Sequence, residues 1–229
     1  MKKTSIRPAT KTFHILSAIP ETVEPYFQAS ILGKAQERKL IAVRAYDIRA
    51  WAAGKHKKID DSPYGGGPGM VLRVDVIYRA IAAIKKKIAR GRHSKTRVIL
   101  LSTRGKVFTG VQAQRLARYD HLVFICGRYE GVDERVARYV ADEELSVGSF
   151  VLSGGEIPAM LIADAVARHI PGVLGKGESL EEVKGSYPVY TRPEAFVPYA
   201  AKPKKQWRVP KVLLSGNHRD IEGWRAGNR

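Results

Sequence analysis

The sequence predicts an α/β fold, a parallel sheet covered by helices on both faces. Three observations carry this. Residues 97–101 (RVILL) and 121–126 (HLVFIC) are almost wholly apolar, as strands are when both faces of a sheet are buried. Such runs alternate with segments of helical period. Glycine-rich segments stand where strands end, which is where open α/β sheets bind ligands.

The elements follow in order. Residues 13–18 (FHILSA) read as a first strand, and residues 21–40 as one helix with Thr22 as its cap. Residues 41–48 alternate, with Ile41, Val43, Ala45 and Asp47 on one face, as a strand does. A basic stretch, 55–58, leads into the loop DDSPYGGGPGM. Residues 74–89 have helical spacing, with Val76, Ile77, Ala80, Ile81 and Ile84 as the apolar stripe, and run into the basic KKKIARGRHSK. Residues 110–119 and 133–141 read as helices on either side of the HLVFIC strand. Residues 150–152 read as a short strand entering SGGE. A helix over 157–170 follows, with Ile157, Met160, Leu161, Val166 and Ile170 as its apolar side. From 171 to 188 the period is lost and Gly and acidic residues accumulate, which reads as a linker. Beyond Arg192 a small second element holds Trp207, Val212, Leu213, Leu214 and Trp224.

Lys and Arg number 40 against 22 Asp and Glu, a formal charge of +18. Such a balance favours a polyanionic partner, because basic side chains near phosphates release condensed counterions. The single cysteine, Cys126, excludes a disulfide framework within the chain and suits a reducing cytoplasm. No apolar run approaches a membrane span. The first eleven residues are basic and lack the apolar core of a secretory signal, so they read as a short arm.

Three glycine-rich segments bear on chemistry. The first, Tyr64, Gly65, Gly66, Gly67, Pro68, Gly69 and Met70, is not a dinucleotide fingerprint, since no strand leads into it at the required place. Its glycines permit close backbone approach to a ligand, and Pro68 argues for a shaped loop. The second, CGRYEG, begins at Cys126 at the carboxyl end of a buried strand; the third, SVGSFVLSGGE, ends where a helix begins. Either alone is equally turn chemistry. Two at successive strand ends point to a ligand whose edges are read by bare backbone groups. The six histidines show no ligand spacing, and Cys126 reads as a small core residue. Asp164 and Arg168 stand four apart on one helix face, and Arg168 precedes the Pro171-Gly172 break. An arginine there stabilises negative charge developing on a substrate.

The strings SPYGGGPGM, LLSTRGKVF, FICGRYEGVDERV, SVGSFVLSGGEIPAM, RHIPGVLG, YPVYTRPE and VLLSGNH, in this order, resemble the bacterial tRNA (guanine-N1)-methyltransferase family, the TrmD type, from about His14 to Trp224. The resemblance implies a SPOUT fold with a deep trefoil knot, an exception to unknotted topology, plus a short C-terminal helical segment. It implies a basic arm (1–11), a SPOUT SAM-binding catalytic domain (12–174), an interdomain linker (175–188) and a truncated C-terminal tRNA-binding segment (189–229). It implies a cytoplasmic homodimer with the active site at the subunit interface, tRNA as substrate, and methyl transfer to guanine N1 next to the anticodon on its 3′ side. It implies S-adenosyl-L-methionine held by Leu101, Ser102, Thr103 and Gly105, by Gly127, Tyr129 and Glu130, and by Ser146, Val147, Gly148, Ser149, Phe150, Val151, Leu152, Gly154 and Gly155. The family also uses Mg2+, which no cluster in this sequence locates.

Two departures stand out. The family's general base is an Asp in the linker, where this chain reads Gly177, Glu178, Ser179, Leu180, Glu181, Glu182, Val183, Lys184. Ungapped alignment puts Val183 at the Asp position. A shift of one residue makes Glu182 the base with Glu181 behind it, while the resemblance implies Arg168 as the electrostatic helper and Tyr64, Gly65, Gly66, Gly67 and Ser179 as substrate contacts. The family's C-terminal domain also continues well past Gly216, Asn217 and His218, whereas this chain ends at Arg229. The alternatives are a SPOUT methyltransferase for another RNA site, and an RNA-binding paralogue whose catalysis is impaired.

Overall fold

Side chains along the central strands leave the sheet alternately on two sides, and both sides are covered. Residues 10–90, 94–174, 187–198 and 206–228 are described by the structure, a computed structural model. The chain divides into two compact units, 1–177 and 178–229. In the first, β1 (Lys11–Ser17), β2 (Ile41–Asp47), β5 (Thr96–Val107), β6 (His121–Cys126) and β7 (Glu143–Ser146) form one sheet in the order β2-β1-β6-β5-β7. All four pairings are parallel. Phe13, Ile15, Ile99, Leu101, Leu122 and Phe124 point to one core. Leu16, Val98, Leu100, Val123 and Ile125 point to the other. This is the two-sided burial that the apolar runs predict.

The first core is closed by α1 (Glu24–Gln28), α2 (Ser30–Glu37), α4 (Gly110–Leu116) and α6 (Glu156–Ala167), the second by α3 (Val74–Ala89) and α5 (Glu134–Tyr139). The predicted stripe of α3 is wholly buried. Lys11, buried at the start of β1, donates to the carbonyls of Leu116 (2.9 Å), Ala117 (3.3 Å) and Tyr119, satisfying the open end of α4. Desolvation lowers its pKa to about 8.

Four expectations are corrected. The single helix over 21–40 is a 3-10 turn (Pro20–Thr22) followed by α1 and α2, broken where Ala29 is extended and Ser30 has φ 50. The break is satisfied by Gln36, which donates to the Phe27 carbonyl (2.8 Å) and accepts from the Val43 amide (3.0 Å). Thr22 caps nothing; its hydroxyl donates to the Ile19 carbonyl. Residues 150–152 are not a strand. The edge strand is β7, hidden because it begins on two glutamates, of which Glu143 is pinned by Arg97 (2.8 Å) and Arg115 (2.6 Å). In α6 the buried side is Ala159, Ile162, Ala163, Val166 and Ala167, while Ile157 and Leu161 are exposed. Small residues let this helix lie close on the sheet, so side-chain size misdirects the reading of its faces.

His14, in the middle of the sheet, bonds Tyr46 Oη through Nδ1 (2.9 Å) and His121 Nδ1 through Nε2 (3.1 Å). Burial, with His121 and Arg44 nearby, lowers its pKa to about 3. In the unfolded chain the same ring protonates near pH 6.5. The unfolded state therefore holds more protons between these values, and stability falls as pH drops through that window. Each tenfold difference in proton affinity is worth about 1.4 kcal/mol. Urea unfolding at pH 7 and pH 4.5 is expected to show a marked loss for the wild type and a smaller one for His14→Phe. Equal losses would remove His14 as the cause.

In the second unit β8 (Ala195–Phe196) pairs antiparallel with β9 (Trp207–Arg208), Phe196 lying 5.7 Å from Trp207 between ring centroids. Two helices follow, α7 (Lys211–Leu214) and α8 (His218–Gly227), the latter capped by the Asn217 side chain.

Candidate active site

A cavity of about 590 Å³ opens at the carboxyl ends of β5, β6 and β7. That size holds a small organic cofactor. Three loops build it because β5 is interrupted: its register against β7 jumps between Leu101 and Lys106, an irregularity that presents Ser102, Thr103 and Arg104 to the cavity. Leu101, Ser102 and Thr103 line one wall, Gly127, Tyr129 and Glu130 a second, and Ser146, Val147, Gly148, Phe150, Val151, Leu152, Gly154 and Gly155 the third. Two residues predicted with them do not line it. Gly105 packs into the sheet, where a Cβ would stand 2.6 Å from the Leu145 amide nitrogen. Ser149 sits between lining residues without lining the cavity itself. Arg104, Arg128 and Ser153, inside the same three loops, also line it, and so do Val132, Glu134 and Pro158, which lie beyond them. The two arginines stand inside the motifs already singled out and were legible there as charge.

The second and third loops are bound to each other. The Gly155 amide donates to the Gly127 carbonyl (2.9 Å). A Cβ on Gly155 would stand 2.7 Å from Cys126 Cα and 3.0 Å from Gly127 N, so only glycine allows this approach. Beneath them lies Glu156, 5% exposed, the first residue of α6. Its carboxylate accepts from Ser17 Oγ (2.6 Å) and faces Arg128 at 3.5 Å. A negative charge at a helix N-terminus is favoured, and here it also tethers the Arg128 side chain. Burial, and the nearby Glu156 charge, push the Cys126 thiol up, as befits a core residue rather than a nucleophile. Ser146 Oγ donates to the Gly148 carbonyl (2.9 Å), shaping the start of the third loop.

The first glycine-rich segment is the tip of a two-stranded hairpin, β3 (Asp60–Asp61) with β4 (Val71–Leu72), too short to leave any periodicity. Its far end joins the second loop: the Glu130 amide donates to Met70 O (3.0 Å) and the Leu72 amide to Gly131 O (3.0 Å). Tyr64 is fully exposed, and Gly65, Gly66 and Gly67 take positive φ with open space around them. The tip stands clear of the cavity lining.

Arg168 is not in the cavity. Gly155 and Pro158, at the start of α6, line it. Arg168 is the C-cap of the same helix, whose twelve residues span about 18 Å. Asp164 does not pair with Arg168; its carboxylate accepts from Tyr26 Oη (2.5 Å). Among the described residues the Arg168 guanidinium has no partner. Ile157, Leu161, Asp164 and Arg168 follow one another at helical spacing, and the first two are 57% and 45% exposed. Ser179, Glu181 and Glu182 lie outside the described residues. No group of three or more His, Cys, Asp or Glu able to hold a metal occurs among the described residues.

A family model described as tRNA (Guanine-1)-methyltransferase TrmD matches residues 11–229. The tRNA (guanine-N(1)-)-methyltransferase of Myxococcus xanthus is 48% identical over 217 residues, which cover 92% of this chain and 82% of that protein. That of Desulfitobacterium hafniense is 47% identical over 218 residues, 93% of this chain and 78% of the other. That of Oceanobacillus iheyensis is 44% identical over 216 residues, 92% and 83% respectively.

Proposed function

The chain belongs to the tRNA (guanine-1)-methyltransferase family, and from that premise we propose how its site works. The protein is an enzyme that methylates guanine N1 in tRNA. We infer that its methyl donor is S-adenosyl-L-methionine, bound in the cavity at the ends of β5, β6 and β7. The observation that carries this is the joined pair of glycine loops, whose bare backbone groups face a cavity of cofactor size.

S-adenosyl-L-methionine supplies a methyl group on a positively charged sulfur, so no acid is needed at the leaving side. Guanine N1 bears a proton and becomes a strong nucleophile on losing it. Glu182 takes that proton, with Glu181 behind it. Negative charge then grows at guanine O6, where Arg168 stabilises it. Tyr64, Gly65, Gly66, Gly67 and Ser179 contact the tRNA, and the target guanine is the one following the anticodon, turned out of its stack. Glu182→Ala is expected to lower the single-turnover rate about 10²-fold; an unchanged rate removes the assignment. The described residues offer no cluster that fits Mg2+, so no step runs through it.

Standing a helix length from its own chain's cavity, Arg168 is better placed to serve the cavity of a second copy. An isologous pair packed antiparallel along the exposed stripe of α6 would set Arg168 of the partner subunit beside the start of this α6, at the cavity. The exposed Ile157 and Leu161 supply apolar area for such a contact. We propose the homodimer on this ground. We propose the knotted form of the fold on the ground of the family alone. The described residues contain no helix long and apolar enough to cross a membrane, and tRNA as substrate supports a cytoplasmic site of action. Residues 189–229 serve as a tRNA-binding segment, its exposed Trp207 and basic Arg208 being suited to RNA.

The test is transfer of labelled methyl from S-adenosyl-L-methionine to unmodified tRNA carrying guanine after a guanine-ended anticodon, beside a tRNA lacking that guanine. Transfer to the first alone is the expected result. Transfer to both, or to another RNA only, moves the target site; donor binding without transfer points to the catalytically impaired paralogue.

A further inference from the structure

The net charge of +18 has to reside somewhere on the surface, and much of it lies on α3. One side of this helix is buried in the second core; the other exposes Arg79, Lys85, Lys86, Lys87 and Arg90. The nearby carboxylates are already engaged: Asp75 holds Arg73 (3.0 Å) and Arg79 (2.9 Å), and Asp61 holds Lys58 (3.0 Å). Among the described residues no carboxylate lies within 4.0 Å of Lys85, Lys86, Lys87 or Arg90. Lys87 Nζ instead sits 5.7 Å over the Tyr46 ring, on edge strand β2, whose Arg44 is exposed. Arg79 donates to the Trp51 carbonyl (2.9 Å), seating α3 against the turn that leads into exposed Lys55 and Lys57.

A helix C-terminus attracts cations weakly, and only within its last turn. That accounts for a lysine or two, not for three consecutive lysines with Arg90 four residues beyond Lys86. Like charges at that spacing repel, and Lys55 and Lys57 lie outside the helix altogether. The arrangement costs the folded protein and is relieved by a polyanion that displaces its counterions. Small Ala82 and Ala89, both exposed between the cations, leave the surface low enough for a backbone to approach.

The position identifies which part of the RNA is meant. α3 starts beside the cavity wall, since Leu72, two residues before it, bonds Gly131. Its sixteen residues carry the surface about 24 Å away, beyond a loop whose base is being methylated. We propose that the outer face of α3, with Lys55 and Lys57, is a second RNA contact that holds the phosphate backbone of a base-paired stem of the substrate. The contact rests on tRNA being the substrate.

The experiment compares the full-length wild type with Lys85→Gln/Lys86→Gln/Lys87→Gln and with the Lys→Arg triple, which keeps the charge. Affinity for whole tRNA is measured over a salt series, and kcat/KM on whole tRNA and on an anticodon stem–loop alone. The Gln triple is expected to bind whole tRNA about tenfold more weakly, with the slope of log K against log salt reduced by about 2–3. Its donor affinity, thermal stability and stem–loop turnover should stay at wild type, and the Arg triple should behave as wild type throughout. Wild-type affinity and slope in the Gln triple overturn the surface and leave the enzyme reading intact. Equal losses on the stem–loop and on whole tRNA also overturn it. A reduced slope in the triple, in a protein whose wild type transfers no methyl, supports the surface while removing the methylation reading.

Discussion

Gly155→Ala is expected to abolish donor binding, raising the Kd for S-adenosyl-L-methionine at least 100-fold by calorimetry. The reason is steric. Gly155 has φ −81, a conformation any residue adopts, so backbone strain plays no part. The added methyl would stand 2.7 Å from Cys126 Cα, 3.0 Å from Gly127 N and 3.1 Å from Cys126 Cβ, none of which is the far end of a flexible side chain. The loop has to back away, and the Gly155 to Gly127 hydrogen bond breaks with it. Overpacking of this kind costs about 1–3 kcal/mol, so the fold is expected to survive with a lowered Tm. Gly223→Ala, on α8 with open space around it, is the control and should change neither quantity. Donor affinity within a factor of a few of wild type in Gly155→Ala would show that the two loops do not jointly form the cofactor site.

Arg168→Ala is expected to lower kcat about 10³-fold with the fold intact, because the guanidinium has no partner among the described residues to lose. The more telling outcome concerns which subunit it serves. Arg168→Ala and Gly155→Ala subunits, co-expressed with different tags and purified through both, form heterodimers from two inactive parents. If Arg168 acts across the interface, the intact cavity of one subunit meets the intact arginine of the other. The heterodimer then recovers about half the wild-type rate per dimer. If Arg168 served its own chain's cavity, neither site would be complete and no activity would return. An inactive heterodimer that still binds donor at one site would therefore sink the shared-site reading.

Several features were legible because they depend on short stretches of chain. Two-sided burial of a parallel sheet writes itself as unbroken apolar runs, so β6 and α3 stand where composition and period place them. The glycine loops were legible because bare backbone at a strand end has a composition of its own; the second and third meet at the cavity, and the first touches the second only at its far end. What the tertiary structure alone decided is of another kind. β7 begins on Glu143 and Glu144, polar residues that enter the sheet because Arg97 and Arg115, 46 and 28 residues away, neutralise the first of them. The faces of α6 follow from how closely alanines let it approach the sheet, which no count of large apolar residues conveys. Arg168 lies near the glycine motif in sequence yet a helix length from the cavity in the folded chain. Local composition reports what an element is made of; which partner neutralises it, and which end of it faces the site, depend on contacts between residues far apart in the chain.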